Sequence, residues 1–298
     1  MKKSCLLLLC FMASYFCQAQ RSEIGTFMGA SFYLGDLNSM PFQDAKFAGG
    51  LIYRYNFTPR MALKANILFG TIAASDEKNH SLRKDNSGNY LWDYRERNLS
   101  FSSPITEISA QLEINFFNIY TVAHKNQISP YLFGGIAIFS FNPQAVFQDT
   151  IYNLQPIGTE GQGWEKDNLG NVINPKYKLT GFAIPFGIGF KANIGKYVSI
   201  GAEWGLRFTF TNYLDDVGGL YYDFSPYKGT IPVDAFDAIV HFADPSKSHA
   251  PNTQRYSTIK TDWYSFAGVI ITVRIGNEDR FCDIKTNVKL KNKQGRKR

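Results

Sequence analysis

The sequence predicts an all-β fold: a transmembrane antiparallel up-and-down β-barrel of about eight strands, with short periplasmic turns and long extracellular loops. Three observations predict it. The chain opens on an export signal and has no later apolar run long enough for a membrane helix. Apolar and polar residues then alternate over long runs, and the connections between those runs alternate short and long.

The opening segment sets the compartment. Lys2 and Lys3 form a short positive region, and Leu6 to Ala13 form an apolar stretch too short to span a bilayer. Cys17 and Ala19 place small residues at the −3 and −1 positions of a cleavage site before Gln20. Residues 1–19 are therefore read as a secretory signal peptide outside the fold. An uncleaved anchor is the alternative; a lipoprotein would need a small residue where Phe16 stands. Cys5, Cys10 and Cys17 leave with the signal, so only Cys282 stays and no internal disulfide is expected. Cys282 is read as a free thiol rather than an interchain link.

The body, residues 20–276, reads as strands of period two. Phe47 to Phe57 places Phe47, Leu51, Tyr53, Tyr55 and Phe57 on one face and Ala48, Ile52, Arg54 and Asn56 on the other. Met61 to Thr71 opposes Leu63, Ile67 and Phe69 to Lys64 and Asn66. Thr106 to Phe116 sets Ile108, Leu112 and Ile114 against Glu107, Gln111 and Glu113. Phe182, Ile184, Phe186, Ile188 and Phe190 alternate with small residues ending in Lys191. Val198 to Thr211 opposes Trp204, Leu206 and Phe208 to Glu203 and Arg207. Less regular runs at Glu23 to Leu34, Pro130 to Phe141 and Asp262 to Ile275 bring the count to eight.

Alternation alone leaves the facing open, since a soluble sandwich buries its apolar face and a membrane barrel exposes it. Connection lengths favour the barrel. From the N-terminus a connection of about ten residues (35–45) is followed by tight ones at Phe57–Arg60 and Gly195-Lys196 and a medium one near 117–128, which alternate with long ones near 73–98, 142–178 and 214–260. Runs of this length exceed ordinary soluble strands and fit tilted membrane strands. Tyr53, Tyr55, Phe57, Phe116, Phe117, Tyr120, Tyr197 and Tyr213 stand near strand ends, as an interfacial aromatic girdle would. An even strand count puts both mature termini in the periplasm and the protein in the outer membrane, in contact with lipid.

The formal charge of +7 is concentrated at the ends. The signal carries two of these charges and residues 277–298 carry five, which leaves the barrel near neutral. The basic balance is thus a property of a periplasmic tail and not of a nucleic-acid-binding face. Lys285, Lys289, Lys291, Lys293 and Arg296 are its candidate partner-binding residues, a solvated end being the alternative.

An eight-strand interior is filled by side chains. The alternation assigns to it Arg54, Lys64, Glu107, Glu113, Lys191, Glu203 and Arg207, a set of both signs expected to pair as a structural plug; a narrow ion or proton path is the alternative. Glu203 and Arg207 share a face. His80, His124, His241 and His249 have no metal-ligand spacing. His241 with Asp237 or Asp244 and Ser246 could compose a hydrolytic site, but solvated loop residues are the expectation. Asp215-Asp216 is read as a cap of the strand end or a cation ligand. The run Gly158 to Gly163 lacks the Lys and the helix of a phosphate loop and is read as turns. No cofactor is expected.

Several segments resemble one family in order along the chain: Glu23-Ile24-Gly25, Tyr33-Leu34-Gly35-Asp36-Leu37, Tyr53 to Arg60, Arg97 to Phe101 with Ser103-Pro104-Ile105, and Ser129-Pro130-Tyr131 with Phe141-Asn142-Pro143. Pro156 to Gly163, Glu203-Trp204-Gly205 and Thr209 to Val217 complete the set. Together they resemble the PorG-like outer-membrane proteins of the Bacteroidetes type IX secretion system. The resemblance implies a non-enzymatic barrel that anchors a periplasmic ring, made of a lipoprotein and a companion protein, for export of cargo with a C-terminal signal. The competing readings are a small barrel enzyme, such as a protease or acyl transferase, and a minor solute channel.

Overall fold

The computed structural model describes residues 22–78, 97–119, 127–195, 197–256 and 261–275. The signal peptide and the tail with Lys285, Lys289, Lys291, Lys293 and Arg296 lie outside the described residues, as do His80, His124, Tyr120 and Lys196.

Eight strands form the barrel: β1 (Ser22–Leu34), β2 (Lys46–Asn56), β3 (Met61–Ser75), β4 (Ser100–Asn115), β5 (Gln127–Phe141), β8 (Thr180–Ile194), β9 (Val198–Thr209) and β10 (Trp263–Ile275). A hairpin, β6 (Gln144–Phe147) and β7 (Thr150–Asn153), stands in the connection between β5 and β8. The sheet runs β3-β2-β1-β10-β9-β8-β5-β4, and pairing of β3 with β4 closes it. Every barrel pairing is antiparallel. The predicted eight-strand closed barrel is the fold, and each predicted run lies within one strand apart from a few end residues.

The wall faces as the alternation requires. Ile108, Ile136, Phe182, Ile188 and Phe190 are exposed on the outside, and Ile136 presents 72% of its surface. No described helix is long and apolar enough to cross a membrane. A closed barrel with an apolar outer belt and a polar interior is the wall of an outer-membrane protein, because closure leaves no unpaired strand edge in lipid. The short connections lie at one end with both termini of the barrel, and the long ones lie at the other.

β3 and β4 extend past the predicted runs, to a register of Ser75 with Ser100. There Ile72, Ala73 and Ala74 are buried in succession. Both faces are covered at that height, so the sequence loses its period of two. The cover is a cap built from the long loops. It holds the β6–β7 hairpin, the one-turn helix α1 (Leu154–Ile157) and the helix α2 (Val233–Ala243). Neither helix was anticipated from sequence. α2 is amphipathic and buries Ala238, Phe242 and Ala243. The glycine run that follows α1 does form turns: Gly158, Gly161 and Gly163 all take positive φ, and Gly158 terminates α1.

The apolar core sits inside the upper barrel and the cap. Phe139 meets Tyr264 at 5.2 Å, and Tyr264 meets Phe266 at 5.8 Å between ring centroids. Lower down, a Cβ at Gly189 would lie 2.3 Å from the Tyr131 ring, so glycine is what lets this tyrosine lie across the lumen.

Candidate functional site: the lumen ion pairs and the cap

The seven charged residues assigned to the interior are all buried there. They pair in three tiers. At the periplasmic end Arg54 bonds Glu23 at 2.8 Å and Glu113 at 3.0 Å, and Lys191 also bonds Glu113. In the middle Lys64 bonds Glu203, and the Tyr131 phenol donates to Glu203 at 2.9 Å. Above these Arg207 bonds Glu107 at 2.9 Å, and the Tyr264 phenol donates to the same carboxylate at 2.9 Å. Lys64 Nζ also lies 4.4 Å from the Phe133 ring centre, and Arg207 lies over Phe266 at 4.7 Å. Pairing with extra hydrogen bonds is what offsets the cost of burying such charges.

Glu203 and Arg207 share a face as predicted, yet they do not pair with each other; each reaches across to another strand. Glu23 and Arg274 were missed. Glu23 accepts from Arg54, from Asn56 at 3.0 Å and from Thr272 at 2.8 Å, with Arg274 at 3.9 Å. The signal was present, because Glu23 opens the first run on the lumen parity and Arg274 closes the last.

The cap carries a second network. Arg97 binds Asp76 through two nitrogens at 2.8 and 2.6 Å, and donates to the carbonyls of Asp36 and Arg255. Arg255 donates to Thr159, Glu160 and the carbonyls of Asp216 and Phe242. These two buried arginines thereby tie all four long loops together. A cavity of about 30 Å³ remains among Leu37, Asp215, Val217, Phe242 and Arg255, about the room for one water.

The predicted Asp215-Asp216 pair is split between two settings, both buried. Asp216, at φ +65°, accepts from Thr159 at 2.5 Å and Tyr177 at 2.6 Å, and burial pushes its carboxyl up to about 6. Asp215 joins Asp36 and Asp262, whose carboxylate oxygens lie within 4.8 Å of one another. Tyr33 Oη stands 2.6 Å from Asp215 and 2.9 Å from Asp262, and receives the Asp36 amide at 2.8 Å. A phenol has one proton to give, so both carboxyl contacts are hydrogen bonds only if one acid is protonated. Burial and the neighbouring acids push Asp215 and Asp262 well above the ordinary carboxylate range, in agreement with that geometry. An all-oxygen set of this kind is also what a hard cation takes. Here the Leu214 and Val217 amides already occupy oxygens of Asp262 and Asp215.

The histidine and girdle readings resolve differently. His241 packs on Phe147 at 4.6 Å, away from Ser246 chemistry. His249, not His241, meets Ser246 and Asp244, at 3.3 and 3.0 Å, and both approach the same Nδ1 nitrogen. A hydrolytic relay needs the acid and the nucleophile on opposite ring nitrogens, so these three residues form a turn. Phe57, Phe116, Phe117 and Tyr197 are exposed around the short-turn rim. Tyr213 is not part of the girdle: it stacks on Tyr177 at 4.6 Å inside the cap.

A family model described as a domain of unknown function, DUF6089, matches residues 2–155 of the 298. The chain belongs to that family. The match takes in β1 to β5 of this member and the hairpin above them, while the last three barrel strands, β8, β9 and β10, and most of the cap lie beyond it. Among curated proteins none matches the sequence. Solved structures similar to this chain include Neisserial surface protein A, at 9% identity and a TM-score of 0.39, covering 85% of this chain and 97% of that one. The attachment invasion locus protein Ail of Yersinia pestis, solved with the heparin analogue sucrose octasulfate, shows 8% identity, coverage of 85% and 96%, and a TM-score of 0.36. The N-terminal barrel domain of Pseudomonas aeruginosa OprF shows 11% identity, coverage of 86% and 99%, and a TM-score of 0.33. What those proteins bind stays with them at such distances. The eight-strand closure of this chain stands on its own strand pairing.

Proposed function

We propose that this outer-membrane barrel is a non-enzymatic anchor that couples, through its periplasmic side, to a periplasmic ring of a type IX-like secretion machine. The observation that carries the reading is the filled lumen. Three tiers of ion pairs and a cap locked by Arg97 and Arg255 make a rigid closed body, which suits an anchor better than a solute channel. The PorG-like segments support the choice of partner, a ring lipoprotein with its companion. The tail supports the mode of contact, since five net positive charges over residues 277–298 attract an acidic periplasmic surface in a salt-sensitive way.

The test is affinity purification of the intact protein from native outer membrane, beside a form lacking residues 281–298 and a form with Lys289, Lys291 and Lys293 changed to Glu. Ring proteins should co-purify with the intact chain, and both altered forms should recover less of them, as added salt does. Full recovery by the truncated barrel at raised ionic strength would move the contact off the tail. Absence of any ring protein from the intact preparation would remove the anchor reading itself.

A further inference from the structure

The loop from Gly35 to Asp44, between β1 and β2, does not rise into the cap along its whole length. Its tip turns down over the outside of the barrel. Phe32 alternates with the lumen-facing Ser31 and Tyr33, so it points outward, yet only 5% of it is exposed. The Phe42 ring covers it at 5.1 Å and reaches Trp204 on the outer face of β9 at 5.3 Å. Beneath this contact the Trp204 indole donates to the Ser265 hydroxyl at 3.0 Å, and Ser265 is likewise an outward residue that is buried. Phe42 thus covers a polar pair on a wall that otherwise faces lipid.

The loop is held in this posture. Asn38 donates to the carbonyls of Tyr33 and Met40 and accepts the Met40 amide, fixing the near limb. Gln43 donates to the Lys78 carbonyl, and Asp44 receives the Lys78 ammonium at 2.7 Å, fixing the far limb. Between them Phe42 sits at φ +67°, and among the described residues it is the one apolar side chain other than glycine with positive φ. A bulky residue keeps that strained backbone only where the surroundings over-determine it. Met40 and Phe42 nevertheless leave 51% and 53% of their surface uncovered by protein. Through Trp204 the Phe42 ring adjoins the apolar outer belt, since Trp204 pairs with the exposed Ile188 on β8.

We propose that this loop is a lipid anchor: Met40 and Phe42 lie among the acyl chains at the headgroup boundary of the outer leaflet, and complete the barrel wall over Trp204 and Ser265. The occupant follows from continuity with the belt, since water on the exposed half of Phe42 would border lipid on every lower side. Trp204 is then only partly a lipid-facing residue, which corrects the simple parity reading.

The test uses the full mature chain with Cys282→Ser, carrying a fluorophore on Met40→Cys, in phosphatidylcholine vesicles with brominated acyl chains. Ile188→Cys in the belt and Lys247→Cys on the cap are the references. Bromolipid quenching at position 40 should approach the belt value and exceed the cap value about twofold or more, with weak quenching by aqueous iodide. Phe42→Asp should reverse this balance while the barrel keeps the gel mobility of a folded, unheated sample. A position 40 that behaves like Lys247 overturns the proposal. So does unchanged bromolipid quenching in folded Phe42→Asp, which would mean the loop is placed by its protein contacts alone.

Discussion

Lys64 and Glu203 join the barrel across its full width. They stand on β3 and β9, which are four strands apart in either direction around the closed sheet, and their side chains meet in the lumen. No pair of strands lies farther apart, so this contact braces walls that share no backbone hydrogen bond.

Breaking that brace on one side should cost more than removing it whole. Lys64→Met or Glu203→Gln alone leaves an unpaired buried charge and should destabilise the barrel by about 3–5 kcal/mol. The double variant should recover much of the loss. Urea unfolding in vesicles, run as a double-mutant cycle, measures the coupling; strictly additive losses would mean the two residues do not depend on each other.

Three paired tiers of buried side chains fill the lumen, so purified protein in planar bilayers should show no stable porin-like conductance. Reproducible large channels would require the Arg54–Glu113, Lys64–Glu203 and Arg207–Glu107 tiers to part in the membrane.

The facing of the wall predicts an asymmetry of tolerance. Phe186 is on the lipid side, whereas Gln111 is fully buried in the lumen. Phe186→Arg should impair insertion by about 2–4 kcal/mol, more than Gln111→Asn, as read by the folded fraction on unheated gels. Equal yields would contradict the assigned faces.

Loss of Arg97 should open the cap without opening the barrel. Arg97→Ala leaves buried Asp76 without its two-pronged partner and frees two carbonyls that hold neighbouring loops. Removing one partner of a buried pair costs about 3–5 kcal/mol. Protease added to intact cells should then cut within the long loops, while the folded gel mobility of the barrel persists.

The cap should also loosen as pH rises. Burial raises Asp215, Asp216 and Asp262 above their unfolded values, so folding favours their protonated forms. That contribution is fully present below the unfolded carboxylate value near 4. It is lost as pH passes about 6 for Asp216, and higher for the other two. Amide exchange of residues 210–256 should be slower at pH 5 than expected from its behaviour at pH 8, after correction for intrinsic rates. Asp215→Asn or Asp262→Asn should flatten the dependence and slow exchange at pH 8. Faster corrected exchange at the acid end would reverse the assignment.

The sequence by itself determined the wall. Period two survives wherever one face meets lipid and the other meets a packed lumen, because the two environments demand opposite chemistry at each step. That is why the parity of Arg54, Glu113 and Lys191 could be read along single strands, and why Glu23 and Arg274 were legible at the run ends. The tertiary structure alone decided who pairs with whom. Glu203 bonds Lys64 from the opposite wall and not Arg207 on its own strand, because strand closure and shear set which heights face each other. It also decided the cap. Asp36, Asp215 and Asp262 come from three separate segments, and Arg97 and Arg255 act on loops far apart in the chain. Nothing periodic marks such residues, since a buried polar knot between irregular loops is specified by long-range contacts rather than by local alternation.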